Sequence, residues 1–327
     1  MSIPSGLQGN LRVPVIAAPL FLSSGPDLVV ATSAAGVIGT FPALNARTSA
    51  IFADWAQEVR ERLAAEPSPA AFGVNIVAHS TNLRLEKDVA ICVENQVPLV
   101  ITSLGAAAEI VDAVTSYGGV VFHDVTNIRH AEKAIEAGVD GLILVSAGAG
   151  GHAGTMNPFA FVSEVRSMFA GTICVAGAMN SGRDVAAARM LGADFAYIGT
   201  RFNATQESMA SAEYKQMLID ARAVDIQYRH DLCVVPASFL RQSLEAAGMD
   251  PRVEQSGAKA QMTDLTQPHT ITGTTQGTRL WRDIWSAGQG VGGIVSIPGA
   301  AELVAQLQAE YQEAARVDVG EVMAFTS

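Results

Sequence analysis

The sequence predicts a closed (β/α)₈ barrel carrying a small, mostly helical cap inserted after the eighth strand. Two observations predict the barrel. Eight short β-branched runs, each ending in turn residues, recur along the first two thirds of the chain, and helix-like segments lie between them at roughly twenty-to-thirty-residue spacing. The third observation predicts the cap: the strand–helix rhythm stops at Asn203 and resumes only near Ala287.

In order, the runs are VPVIAAP from Val13, GVIGTFP from Gly36, FGVNIV from Phe72 and PLVITSLG from Pro98. GVVFHDVT from Gly119, GLILVSAG from Gly141, TICVAGAM from Thr172 and FAYIGTRF from Phe195 complete the set. Near-continuous apolar runs of this length are what parallel strands covered on both faces require. Among the helices, SAIFADWAQEVRERLAAE places Ile51, Trp55, Val59 and Leu63 four apart, one stripe of a helix. NIRHAEKAIEAG and SGRDVAAARMLGA are shorter, and each ends near a glycine suited to a C-cap. Residues 1–202 and 287–327 are assigned to the barrel and 203–286 to the cap. Within the cap, ASAEYKQMLIDARA and SFLRQSLEAAG look helical and TQPHTITGTTQGTR looks like a loop. The helix AAELVAQLQAEYQEAA closes the ring.

An open doubly wound sheet is the competing fold, because GAGGHA (Gly148 to Ala153) matches the dinucleotide pattern G-x-G-x-x-A after a strand. That fingerprint belongs to the first βα turn and needs an acid at the end of the next strand. Here the strand is the sixth, and the next one ends VAGAMNSG with no acid. The barrel is the better account.

The chain has 327 residues, 49 % of them hydrophobic and 16 % charged, so a large core can be filled. A formal charge of -11 with no Lys/Arg-rich stretch argues against a nucleic-acid partner. Cys92, Cys174 and Cys233 are far apart and form no CxxC pair, which fits a reducing cytoplasm and neither disulfides nor zinc. MSIPSGLQGN lacks the charge and apolar pattern of a secretion signal, and no apolar run approaches the length of about eighteen residues that a membrane span needs.

In such a barrel the C-terminal strand ends form the active-site mouth, and the loops after strands seven and eight commonly bind phosphate. Those ends read AGAMNSGR and IGTRF. Gly177 and Gly199 permit close backbone approach to an anion, with help from the following helix N-termini, and Thr200 adds a hydroxyl. The alternative is that these glycines serve only tight turns.

His152 follows strand six in a loop too glycine-rich to be core, and is the candidate general base or hydrogen-bond donor. His123 and Asp124 end strand five and are expected to face the same rim, His123 either as a polar contact or as a plain strand-end hydrogen bond. Asn75 either meets the edge of a heterocycle or caps the next loop. Met156, Met179 and Phe41 make the rim apolar, which suits a planar cofactor. His79, His130, His230 and His269 read as ordinary polar residues, and no metal-ligand spacing is present.

PVIAAPL, FGVN, HDVTNIRHAEKAIEAGVDG, GAGGHAG, VAGAMNSGRDVAAARMLGADFAYIGTRF and IWSAGQGVGGI together resemble the nitronate monooxygenase family over nearly the whole chain. The resemblance implies a (β/α)₈ barrel with non-covalent FMN at its mouth. By position, Ala18, Pro19 and Leu20 would run along the isoalloxazine and Asn75 would contact it. Gly150 and Gly151 would pass near the flavin, with His123 and Asp124 on the same rim. Gly177, Ala178, Gly199 and Thr200 would hold the phosphate, and Gly288 and Gln289 would return to the cofactor. His152 matches the family's active-site histidine.

Three departures stand out: Leu20 where Met is common, Gly177-Ala178-Met179 where Gly-Gly-Ile is common, and Asp124 where some members carry Lys. The implied activity is oxidation of alkyl nitronates by O₂ to a carbonyl compound and nitrite, extending to neutral nitroalkanes if His152 removes their proton. An NAD(P)H-dependent FMN reductase of quinones or enoyl thioesters is the alternative, and a non-enzymatic flavin-binding protein is a third reading. The expected partners are a small-molecule substrate with O₂ or NAD(P)H, and a homo-oligomer is left open.

Overall fold

The computed structural model of the chain describes residues 3–105, 108–253 and 278–321. All eight runs are strands: β1 Val15–Ala17, β2 Ile38–Pro42, β3 Phe72–Val77, β4 Leu99–Ser103, β5 Val120–Val125 and β6 Gly141–Val145. A two-residue strand, β7 Gly151–His152, precedes β8 Thr172–Ala176 and β9 Phe195–Ile198. β1–β6, β8 and β9 close a parallel barrel in chain order, with β1 pairing β9 through Ile16↔Tyr197 and Ala17↔Ile198.

The two faces of each strand go to different cores, as alternation demands. Ile16, Ile38, Ile101, Phe122, Ile143 and Phe195 fill the barrel interior. Val15, Val74, Val100, Val121, Leu142 and Val175 point outward to the helices. Phe41 belongs to this outer set, packed edge-on against Phe52 and Trp55, so the expectation that it lines the rim is corrected.

The helix Ser49–Ala64 buries Phe52, Ala56, Val59 and Leu63, while Ile51 is exposed. A strict spacing of four drifts about 120° over these three steps, whereas positions 52, 56, 59 and 63 stay within about 60° of one line. The core-facing stripe is therefore the second set.

The helices Ile128–Glu136 and Gly182–Leu191 form where the sequence places them, the second ending on left-handed Gly192. Asp194 enters the base of β9 and is 1 % exposed. It accepts hydrogen bonds from Arg166 Nη2 at 2.6 Å and the Ile173 amide at 2.9 Å, tying the helix Pro158–Met168 to β8 and β9. The last helix, Ala300–Glu321, buries Leu303, Val304 and Leu307 and packs between Gly182–Leu191 and the helix Pro26–Ala35. It occupies the place in the ring that a helix directly after β9 would take.

Between Asn203 and Ser286 the chain forms the helices Ala212–Asp220 and Arg241–Ala246, in line with the sequence. It also forms an antiparallel pair that the sequence does not announce, β10 Ile226–Arg229 with β11 Ala237–Leu240. β11 pairs in turn with β7, through Ala237↔His152 and Ser238↔Gly151. Leu232, Phe239, Leu244, Met249, Leu280 and Ile284 give this region its own small core. His269 and the loop-like stretch from Thr266, up to Gly277, lie outside the described residues. No described helix is long and apolar enough to cross a membrane.

Candidate active site

A cavity of about 260 Å³ opens at the C-terminal ends of the strands. Asn75, Ser103 and Asp124 are inward-facing residues of β3, β4 and β5, so alternation aims all three at this space. Asn75 Nδ2 donates to Ser103 Oγ at 2.7 Å, and Ser103 Oγ donates to Asp124 Oδ2 at 2.5 Å. Asp124 Oδ1 is enclosed and has no hydrogen-bond partner. Burial pushes this carboxyl up to about 6, and the Ser103 hydroxyl offsets part of the rise.

His123 does not share that rim. Adjacent strand residues face opposite sides, and His123 lies outward with its register partner Thr102, Nδ1 to Oγ1 at 2.8 Å. It is 6 % exposed, and burial holds its pKa down to about 4. Its role is the plain strand-end hydrogen bond. Met179 lines the cavity as expected, whereas Met156 packs against the outer core.

His152 lines the cavity from β7. The pairing with Ala237 and the bond from the Ala153 amide to Pro236 O at 3.1 Å fix its backbone to the cap. Its ring meets Trp281 edge-on at 5.3 Å, and Trp281 leans on Phe239 at 5.2 Å. Nε2 is enclosed without a hydrogen-bond partner, and burial lowers the imidazole pKa to about 4. His152 is thus neutral across the physiological range. Trp281 lies in the left-handed region, φ 68, a conformation that costs a non-glycine residue roughly 1–3 kcal/mol and that clusters at functional sites. Sequence reasoning missed Trp281, and also Tyr197, Asn203 and Tyr214, which line the same cavity. No local pattern marks Trp281, because its contacts with His152 cross more than a hundred residues.

The glycines serve one another more than the cavity. A Cβ on Gly150 would lie 2.6 Å from the Gly288 amide nitrogen, and one on Gly288 would lie 2.7 Å from Gly148 O. One on Gly177 would meet Ala147 O at 2.7 Å. The loops after β6 and β8 and the segment at Gly288 therefore meet backbone to backbone. The Ala178 and Gln289 amides both donate to Gly148 O, at 3.1 and 2.8 Å, and the Gly288 amide donates to Thr200 Oγ1 at 2.9 Å. Gly288→Ala should cost roughly 1–3 kcal/mol by overpacking, lowering Tm by several degrees in a thermal melt. An unchanged Tm would show that these loops can part.

The helix after β8 offers no open N-terminus for an anion. Asp184 Oδ2 accepts the Asn180 and Ser181 amides, each at 2.8 Å, and Glu310 Oε2 accepts that of Gly182 at 2.7 Å. The expectation that this helix helps bind phosphate is corrected. At Gly199–Asn203 the Phe202 and Asn203 amides bond back to Gly199 O, leaving those of Thr200 and Arg201 without an intrahelical carbonyl.

The cavity gathers His152 with Ala18, Pro19, Leu20, Asn75, Asp124, Gly150, Gly151, Gly177, Ala178, Gly199, Thr200 and Gly288. Among the residues expected to contact the cofactor, only His123 and Gln289 fall outside it. Gln289 is exposed, its side chain lying beside Gly148 rather than in the wall. Among the described residues no Lys or Arg lines the cavity, and no cluster of side chains is arranged to hold a metal.

A family model described as nitronate monooxygenase matches residues 41–310. A nitronate monooxygenase of Paraburkholderia phytofirmans is 29 % identical over 63 % of this chain and 58 % of its own length. A (3aS,4S,5R,7aS)-5-hydroxy-7a-methyl-1-oxo-octahydro-1H-indene-4-carboxyl-CoA dehydrogenase of Rhodococcus jostii is 28 % identical over 61 % of this chain and 54 % of its own. The chain thus spans little more than half the length of these curated relatives. The fold matches a nitroalkane oxidase from Streptomyces ansochromogenes with a TM-score of 0.78, at 22 % identity over 96 % of this chain and 99 % of the other. With more than half of its residues matched by the family model, the chain belongs to the nitronate monooxygenase family.

Proposed function

We propose that this protein is an FMN-dependent oxidoreductase that oxidises alkyl nitronates with O₂, yielding a carbonyl compound and nitrite. The observation that carries the reading is His152: a neutral imidazole, clamped between cap and barrel, lining a cavity in which the described residues place no other histidine and no cation. A nitronate already carries its charge and needs no base. What it asks of the protein is a donor for its nitro oxygens, and the imidazole N–H supplies one.

The site fits a flavin. Its walls are apolar and glycine-rich, and its enclosed polar atoms without partners, Asp124 Oδ1 and His152 Nε2, suit a planar ligand with hydrogen-bonding edges. Ala18, Pro19 and Leu20 would form one wall for the ring, with Gly150 and Gly151 opposite and Asn75 and Asp124 at its edge. Gly177, Ala178, Gly199 and Thr200 would hold the phosphate. When bound, FMN would supply the electron acceptor for the nitronate, with O₂ as the final oxidant. Residues 203–286 act as the cap, which brings Trp281 and β11 against His152 and shields the site from water. All three cysteines are free and buried, which fits a reducing compartment.

A second reading, NAD(P)H-dependent reduction of quinones or enoyl thioesters, draws on the relative named as a CoA-thioester dehydrogenase. Anaerobic addition of NADH or NADPH to the purified protein separates the two. Under the first reading the visible flavin band persists, and an alkyl nitronate with O₂ then releases nitrite. Rapid bleaching by NAD(P)H would replace it with the second, and absence of any flavin band would remove the cofactor assignment.

A further inference from the structure

We propose that Asp124 stands in the filled cavity as a neutral carboxylic acid, so that ligand binding takes up a proton there; the ligand, on the function proposed above, is FMN. The argument begins with what surrounds the group. Oδ2 accepts from Ser103 Oγ, whose own oxygen accepts from Asn75 Nδ2. Oδ1 is enclosed and unpaired. An ionised carboxylate here would have one oxygen with neither water nor donor, and its charge would need a counter-ion.

The described residues provide none. On β6 the register partner is Ile143, and on β4 the neighbour is Ser103, which donates its hydroxyl to the carboxylate. The titratable groups whose charge reaches Asp124 across the barrel are Cys174 on β8 and Tyr197 on β9, both uncharged acids whose ionisation burial opposes. His152 and Tyr214 are the other titratable groups lining the cavity, and burial keeps both uncharged, holding the imidazole down to about 4 and pushing the phenol up to about 12. No Lys or Arg lines the cavity among the described residues.

Part of Asp124 still faces solvent through the cavity mouth, and burial already pushes the carboxyl up to about 6. A bound ligand excludes that solvent and lifts the group further, since desolvation always favours the uncharged form of an acid. A phosphate-bearing ligand adds negative charge in the same direction. Free protein above pH 6 has released this proton, so binding must return it. Affinity then falls about tenfold per pH unit until the filled site itself begins to ionise.

The test is FMN binding followed by flavin fluorescence between pH 5 and 8.5, in the wild type and in Asp124→Asn. The FMN phosphate also titrates near pH 6, but its share of any slope persists in the Asn variant. The wild-type Kd should rise up to roughly a hundredfold more than the variant's between pH 6 and 8. An infrared carbonyl band of a protonated carboxyl should appear in the FMN-bound wild type at pH 7, and it requires no variant. Parallel pH profiles, or absence of that band, would overturn the proposal while leaving FMN as the cofactor. Failure of FMN to bind at any pH would remove the cofactor reading instead, and with it this ligand for Asp124.

Discussion

Replacing His152 by Asn should leave FMN bound and separate two kinds of substrate. With an alkyl nitronate the variant loses one hydrogen bond to a charged group, so kcat/KM should fall roughly tenfold. With a neutral nitroalkane, where the imidazole would have to remove a proton, the loss should be roughly 10²–10⁴-fold. The protein's own pKa pattern sets the pH dependence. Burial holds His152 at about 4, below its usual range, so activity that needs the neutral ring should be flat above pH 5 and fail only as pH falls through about 4. The folding sign is the same. An unfolded histidine takes up its proton at higher pH than this one, so its contribution to stability is full above about pH 6.5 and lost as pH drops toward 4. Steady-state rates on both substrates, with flavin absorbance as the control for binding, decide the matter. Unchanged turnover on both would remove His152 from the chemistry.

Asp194→Ala should give the largest loss of stability. The carboxylate is 1 % exposed, pairs with Arg166 at 2.6 Å and receives the Ile173 amide at the start of β8. Breaking a buried pair costs about 3–5 kcal/mol, and the lower end applies because Arg166 retains access to water. For a chain of this size that corresponds to a Tm lowered by roughly 4–5 °C. Asp194→Asn keeps one acceptor and should lose less. A Tm within about 2 °C of wild type in calorimetry of Asp194→Ala would show that the joint does not depend on the charge.

The barrel was legible because each strand advertises itself locally: an apolar run of fixed length, then turn residues. Faces within a strand were legible too, once alternation is applied, yet His123 and Phe41 show how naming residues by strand end alone overlooks it. Asp124 and Asn75 are inward and meet the cavity; His123 and Phe41 are outward and meet helices. The stripe on Ser49–Ala64 failed for a similar reason of period, four in place of 3.6. The glycines at 150, 177 and 288 were visible as close-approach positions, but what approaches is another segment of the chain, and sequence spacing carries no trace of that partner. The pairing of β7 with β11 and the seating of Trp281 are non-local as well. The first depends on a chain fold-back of about eighty-five residues and the second on one of more than a hundred, and neither carries a turn signal for it.

The ladder between Gly151–His152 and Ala237–Ser238 makes one polypeptide neighbourhood answer to two selective demands. A change in the hairpin that refits the entrance for another molecule also moves the imidazole, and a change that would free the imidazole unravels the entrance. On the function proposed above, selectivity and reactivity are therefore not independent traits of this chain, because a substitution in β11 acts on both.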